Sequence, residues 1–189
     1  MYRSVTLHAL RKGVNSLDVE QVAALLPEIN IHFEYQNNTL TTFLNGENVE
    51  GLIRSMEVSS QVSHVAVIPE VRRAMVAQQQ SIGRQKGVVM DGRDIGTVVF
   101  PDAELKIFMV AAMDTRVQRR YEQLQSQGKP SNLHAIRKNL FTRDYIDSTR
   151  SDSPLKKATG AVTIDNTYLT EEEQLAIVDT LVQIRLQHL

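Results

Sequence analysis

The sequence predicts an α/β protein in which a parallel sheet is flanked by helices and carries a small β-containing insert. Three observations lead there. From residue 88 onward, short apolar runs alternate with stretches of helical spacing, the pattern of strands joined by helical crossovers. Between Ile31 and Leu44 the residues are β-branched, aromatic or small and polar, with Asn37-Asn38 inside the run and Asn45-Gly46 after it, which reads as a hairpin. The length of 189 residues with 42% hydrophobic side chains suits one domain with a small appendage, at about 150 residues per domain.

In chain order, Tyr2, Val5, Ala9 and Leu10 form an apolar stripe that Gly13 closes, the position where helices turn into the left-handed region. Asp18 is placed to cap a second helix with Val19, Val22, Ala23 and Leu26 on one face, and Pro27 stops it. After the hairpin, residues 47–80 return to helical spacing with a break at Pro69. Val71, Ala74 and Met75 then define a helix whose exposed side carries Gln78, Gln79 and Gln80. Glycines 83 and 87 end that segment. Val88-Val89-Met90 reads as a buried strand and Leu105–Val110 as another, followed by helices from Asp114 and Ser131, a strand at Val162–Ile164 and a last helix from Thr170, whose pairing with Glu173 is a capping box. Parallel sheets of this kind bind ligands beyond the carboxyl ends of their strands.

Composition narrows the function. The absence of cysteine excludes a disulfide scaffold, a thiolate zinc site, an iron–sulfur cluster and a cysteine nucleophile. Twenty-one Lys+Arg against 22 Asp+Glu leave no global field for nucleic acid or anionic membrane, so recognition of phosphate must rest on local arginines. No run approaches the ~20 apolar residues of a bilayer span, and Met1–His8 lacks the apolar core of a secretory signal; a soluble cytoplasmic protein is expected. An RNA-binding module, suggested by the arginine clusters, is disfavoured because aromatic residues make up 5% of the chain and Trp is absent. Histidines 8, 32, 64, 134 and 188 are scattered with no i, i+4 pair, so no metal site is expected, and no G-x-S-x-G elbow supports a hydrolase.

Two constellations can carry chemistry. Asp91-Gly-Arg-Asp-Ile-Gly-Thr97 follows the apolar run 87–90 directly. Its glycines allow a tight turn, Arg93 offers a planar fork of donors for a phosphate, and Asp94 offers acceptors for an amino group; the other reading is a β-turn with a surface ion pair. Arg143, Asp147 and Arg150 sit at i, i+4 and i+7 in a Ser/Thr/Pro-rich segment that suits a mobile loop, and all three could close over an anion; the other reading is a solvated, charged helix end. Arg119 and Arg120 either face solvent or approach a nucleotide, with solvent favoured, and Arg72 and Arg73 read the same way.

Met1-Tyr-Arg3, Pro69-Glu-Val-Arg72, Val88–Asp102 and Arg143…Asp147…Arg150 recur in order, and together they resemble the bacterial cytidylate kinase family over essentially the whole chain. That resemblance implies a fold like the P-loop nucleoside monophosphate kinases and transfer of the ATP γ-phosphoryl group to CMP or dCMP, with Mg²⁺, by a cytoplasmic monomer. It implies a core of residues 1–26 and 82–189, a CMP-binding insert at 27–81 and a lid at 129–157. Arg3, Arg93 and Arg143 would hold the CMP phosphate and the transferring group, with Arg93 and Arg143 catalytic. Ser63, Arg72, Asp94 and Arg150 would read cytosine, and Asp147 would bind the sugar hydroxyls.

The same resemblance places a G-x-x-x-x-G-K-[ST] loop, on a strand–loop–helix unit, ahead of the first residues here. Gly128-Lys129 is the only Gly-Lys pair; Pro130 follows it, and Gln123 stands where the first glycine should be, so it cannot serve. The expectation is that this strand and loop are missing, that the ATP-binding residues stay unassigned, and that residues 1–189 alone are poorly stable or inactive as a kinase. A non-catalytic CMP-binding or regulatory relative is the alternative.

Overall fold

The stripe of Val5 and Ala9, both almost fully buried, drives helix α1 (Tyr2–Arg11) against helix α3 (Met56–Ala66). Gly13 leaves it at φ +69°, as a left-handed cap requires. The computed structural model describes residues 1–36 and 39–187, and it divides into two compact units, Met1–Val88 and Val89–Leu189. The Asn37-Asn38 link expected inside the hairpin, and His188, lie outside the described residues.

The first unit continues with α2 (Val19–Ala24), where the Asp18 side chain accepts from the Gln21 backbone N–H at 3.0 Å, and with an antiparallel sheet of β1 (Ile31–Gln36), β2 (Thr39–Leu44) and β3 (Glu47–Asn48). Asn45 and Gly46 join β2 to β3 with φ of 51° and 84°, the pair of left-handed residues that a tight two-residue hairpin needs. Residues 47–48 were expected to be helical; they pair with Phe43 and Leu44 instead, because the turn feeds the chain back onto an available strand edge. Helix α3 starts at Ser55, whose hydroxyl accepts from Val58 N–H, and α4 (Pro69–Gly83) starts on Pro69, which tolerates the first helical position because its missing N–H would be unpaired there. Val5, Val22, Ile31, Leu44, Val58, Val65, Ile68, Val71 and Met75 share one core, so α1 and α2 pack with residues 27–75.

The three glutamines of α4 are not on an exposed face. Gln79 lies one turn beyond Met75 on the buried stripe and is itself buried, while Gln78 donates to the Ile31 carbonyl at 2.6 Å. A side chain that meets a strand carbonyl is worth more folded inward than solvated.

Glu50 ties this unit together. Its carboxylate accepts from Thr42 N–H at 3.1 Å and Thr42 O–H at 2.7 Å, and it pairs with Arg54. Burial alone would raise its pKa, but the Thr42 hydroxyl and Arg54 outweigh burial and hold it below the ordinary glutamate range. A carboxyl depressed on folding stabilises fully above its unfolded pKa, about 4.3, and that stability is lost as pH falls through the lower folded value. Glu50→Gln is expected to cost about 1 kcal/mol at pH 7 and to flatten the fall in thermal midpoint between pH 5 and 3; unfolding curves across that range check both.

In the second unit, β4 (Ile107–Val110) and β5 (Val162–Asp165) pair in parallel, from Ile107 opposite Val162 to Val110 opposite Asp165. Helices α5 (Met113–Ser126) and α6 (Leu133–Thr149) run between them, and α7 (Glu171–Leu186) follows. The capping box forms: Thr170 Oγ1 accepts from Glu173 N–H at 3.1 Å and the Glu173 carboxylate from Thr170 N–H at 2.9 Å. Among the described residues no helix is long and apolar enough to cross a membrane.

Two expectations need correction. Val88-Val89-Met90 forms no strand and is not buried; Val89 is fully exposed. Three apolar residues make a strand only where a neighbour supplies a ladder, and none of the described strands pairs with them. Residues 143–149 are not loop but the last two turns of α6, where ion pairs to other segments outweigh the weak helix preference of Asp, Ser and Thr.

Candidate functional site

Each unit holds part of the expected residue set. In the first, Arg3 projects from the first turn of α1, and its Nη1 donates to the Ile53 carbonyl at 2.8 Å and to Ser59 O–H at 2.9 Å. Ser63 is buried on α3, one turn beyond Ser59. Arg72, on α4, is 2% exposed; its Nη1 reaches the Ala66 carbonyl at 3.2 Å and its guanidinium carbon lies 5.7 Å from the Tyr2 ring centroid. A helix-terminal carbonyl and an aromatic face thus help to fix the fork of this buried arginine.

In the second unit, Asp94 and the glycines around it set the backbone. The Asp94 carbonyl accepts from Val98 N–H at 2.9 Å, and Phe100 N–H reaches back five residues to the Ile95 carbonyl at 2.7 Å, so residues 95–99 form a π-helical turn. Such single turns recur at functional sites. Gly92 is needed here: a Cβ would meet Ile95 Cγ1 at 2.8 Å and Cδ1 at 2.9 Å. Asp94 itself is 4% exposed.

Arg93, beside it, donates from Nε to Asp147 Oδ2 at 3.0 Å, and Arg150 Nη1 lies 3.7 Å from Asp147 Oδ1. Arg150 is held by the turn after α6, giving Nε and Nη2 to the Ser153 carbonyl at 2.9 and 2.7 Å, while Leu155 N–H closes on the Asp147 carbonyl at 2.7 Å. Asp147 and Arg150 side chains are 6% and 5% exposed. Of the expected trio, Asp147 and Arg150 therefore pair, on a helix end and the turn behind it, with Arg93 added from the glycine-flanked turn and Arg143 close enough to feel the Asp147 charge.

Arg143 completes the group. Burial pushes its guanidinium below the ordinary arginine value, the Arg93 charge pushes the same way, Asp147 and Asp144 oppose, and Arg120 adds to the depression. Its Nε donates no hydrogen bond among the described residues. A half-buried cation crowded by other arginines favours an incoming anion, because the ligand supplies charge of the opposite sign.

Two features escape sequence reasoning. Arg116 on α5 donates to Asp144 at 2.6 Å, and Arg137 on α6 pairs with Asp114 on α5; no spacing rule links residues on different helices. Arg119 is not simply solvated, since its Nη2 caps the Asn166 and Leu169 carbonyls at 2.8 and 3.0 Å. Around Arg143, arginines 93, 116, 120 and 150 thus face Asp144 and Asp147, an excess of positive charge beside the carboxyl-terminal half of α6.

The family model described as cytidylate kinase matches residues 1–185. Curated relatives named cytidylate kinase include one from Bacteroides fragilis, 49% identical over 179 residues that cover 92% of this chain and 78% of the relative. Another, from Cytophaga hutchinsonii, is 53% identical over 177 residues, covering 93% and 76%. A third, from Flavobacterium johnsoniae, is 49% identical over 187 residues, covering 96% and 81%. With its arginine-rich site and these matches along nearly its full length, the chain belongs to the cytidylate kinase family.

Proposed function

We propose that the protein takes CMP or dCMP as phosphoryl acceptor and ATP as donor, giving CDP or dCDP and ADP. The observation that carries this reading is the half-buried Arg143, whose Nε meets no acceptor among the described residues, close to the charges of Arg93, Arg120 and Asp147, an arrangement that gains most from a multiply charged phosphate. In the first unit, Arg3 is assigned to the acceptor phosphate, and Ser63 and Arg72 to cytosine. In the second, Arg93 and Arg143 hold the phosphate and the transferring group, Asp94 and Arg150 read the base, and Asp147 receives the sugar hydroxyls. The assignments rest on the motif resemblance together with chemistry. Cytosine presents an exocyclic amine that a carboxylate can accept and O2 and N3 acceptors that arginine can meet.

The acceptor phosphate is already an anion, so no general base is needed. One of its oxygens forms the new bond to the γ-phosphorus as the bond from that phosphorus to the β-bridging oxygen breaks, and the electron pair leaves with ADP. Catalysis is then positioning plus stabilisation of charge by Arg93 and Arg143. Mg²⁺ accompanies ATP in such reactions. Among the described residues, no group of three or more His, Asp or Glu is placed to hold a metal, and Asp144 and Asp147 are engaged by arginines. Such sites hold the ion largely through the nucleotide phosphates, and no step is routed through it.

The cradle for the ATP phosphates is assigned to no residue of 1–189, because the sequence holds no G-x-x-x-x-G-K-[ST] motif. The insert role of 27–81, the lid role of 129–157, monomeric state and cytoplasmic setting belong to the same proposal. Calorimetric titration with CMP, with UMP as control, tests it directly. Saturable CMP binding with much weaker UMP binding supports it, and equal affinities remove the base assignment. Asp94→Ala is expected to weaken CMP about tenfold and UMP hardly at all, the size of one charge-assisted hydrogen bond.

A further inference from the structure

Arg116 stands outside the residues assigned to substrate, yet it is tied to them through one carboxylate. Its Nη1 donates to Asp144 Oδ2 at 2.6 Å. Both side chains are half-buried, at 34% exposure each. Asp144 is the next residue along α6 from Arg143, and successive side chains on a helix diverge rather than pair. Asp144 therefore reaches across to α5 while its charge remains close enough to be felt at Arg143. A carboxylate in that place opposes the binding of a phosphate to Arg143 unless something cancels it. Arg116 is placed to do so.

We propose that Arg116 is a positioning residue for the acceptor phosphate: it neutralises Asp144 across the α5–α6 pair, so that Arg143 meets an anion without a competing carboxylate. The inference rests on the assignment of Arg143 to phosphate made above. The exposed Asp114–Arg137 pair runs the other way between the same helices, and Val117, Leu124 and Ile136 are buried on them, so the helix pair does not depend on Arg116 alone. Removal of the Arg116 charge then acts on the site's electrostatics more than on helix packing. Arg116→Met removes the guanidinium, including the Nη2 contact to the Met113 sulfur at 3.7 Å, and retains an unbranched apolar stem.

The test is a charge-rescue series read by calorimetry on the full chain, with CMP and with inorganic pyrophosphate. Arg116→Met is expected to weaken both ligands about tenfold, the size of one uncompensated charge at short range. Asp144→Asn alone is expected to bind both as tightly as wild type or more tightly, and Arg116→Met with Asp144→Asn to return within about twofold of wild type. A structural clasp predicts the opposite: Asp144→Asn would weaken binding as Arg116→Met does, and the double variant would be no better. Either result overturns the proposal. If wild-type protein binds pyrophosphate but not CMP, the cytidylate reading falls while the Arg116 series on pyrophosphate still decides; if it binds neither, both fall.

Discussion

Replacing Arg143 with Met is expected to weaken CMP about a hundredfold, the size of charge-assisted hydrogen bonds to a phosphate, and at the same time to leave the protein slightly more stable. The two effects have opposite signs for one reason. In the unliganded protein Arg143 is a cation partly withdrawn from water, its pKa pushed down further by Arg93, with Asp147 and Asp144 opposing. An apolar side chain of similar length relieves that burden, and the gain is small because Arg143 is only half-buried. The ligand, however, depends on the same exposed deficit of negative charge. Calorimetric titration with CMP and urea unfolding of the same preparation measure the pair. A variant that loses affinity and stability together would show that Arg143 is well compensated and holds the fold rather than the anion.

Asp147→Asn is expected to act mainly on the fold, at about 3–5 kcal/mol, the cost of removing one partner from a buried ion pair. Arg150 is 5% exposed and depends on the Asp147 carboxylate and the Ser153 carbonyl, while Arg93 gives its Nε to the other carboxylate oxygen. Neutralising the aspartate keeps the shape of the side chain and removes the negative charge that both guanidiniums face. Combining it with Arg150→Met should recover much of the loss, because the unpaired buried charge is removed rather than merely abandoned. Urea midpoints of the single and double variants decide it: a single substitution within about 1 kcal/mol of wild type would mean that solvent already screens the cluster.

Local features were the most readable in the sequence. The Asp18 cap, the left-handed Gly13, the Asn45-Gly46 turn and the Thr170–Glu173 box are each decided within four residues, and each forms. The parallel pairing of residues 107–110 with 162–165 was legible from the alternation of elements. What failed depended on distant partners. Val88-Val89-Met90 has the composition of a strand without a ladder to join, and Asp144, Asp147 and Ser148 look like loop residues until Arg116 and Arg93 are brought to them. The π-helical turn at 95–99 follows neither of the two periods by which side chains announce helix or strand. Within the site, the residue types at 93, 94, 143, 147 and 150 pointed to phosphate and base recognition, but that Arg93 would join the α6 cluster through Asp147 lay beyond any spacing argument.

The uneven distribution of buried apolar side chains bears on how the protein breathes. The extended core of Val5, Val22, Leu44, Val58, Val65 and Val71 belongs to the first unit, whereas α5 buries only Val117 and Leu124, and α7 buries no residue. Opening free energy follows buried contact, so amide protons of α5–α7 should exchange with solvent by sub-global fluctuations while those of α1 and α3 wait for complete unfolding. The arginine cluster is carried by the more easily opened part. An anion bound to it would then act as a clasp in time as well as in space, slowing exchange along α6 in proportion to its occupancy and leaving the slowest amides of the first unit unchanged.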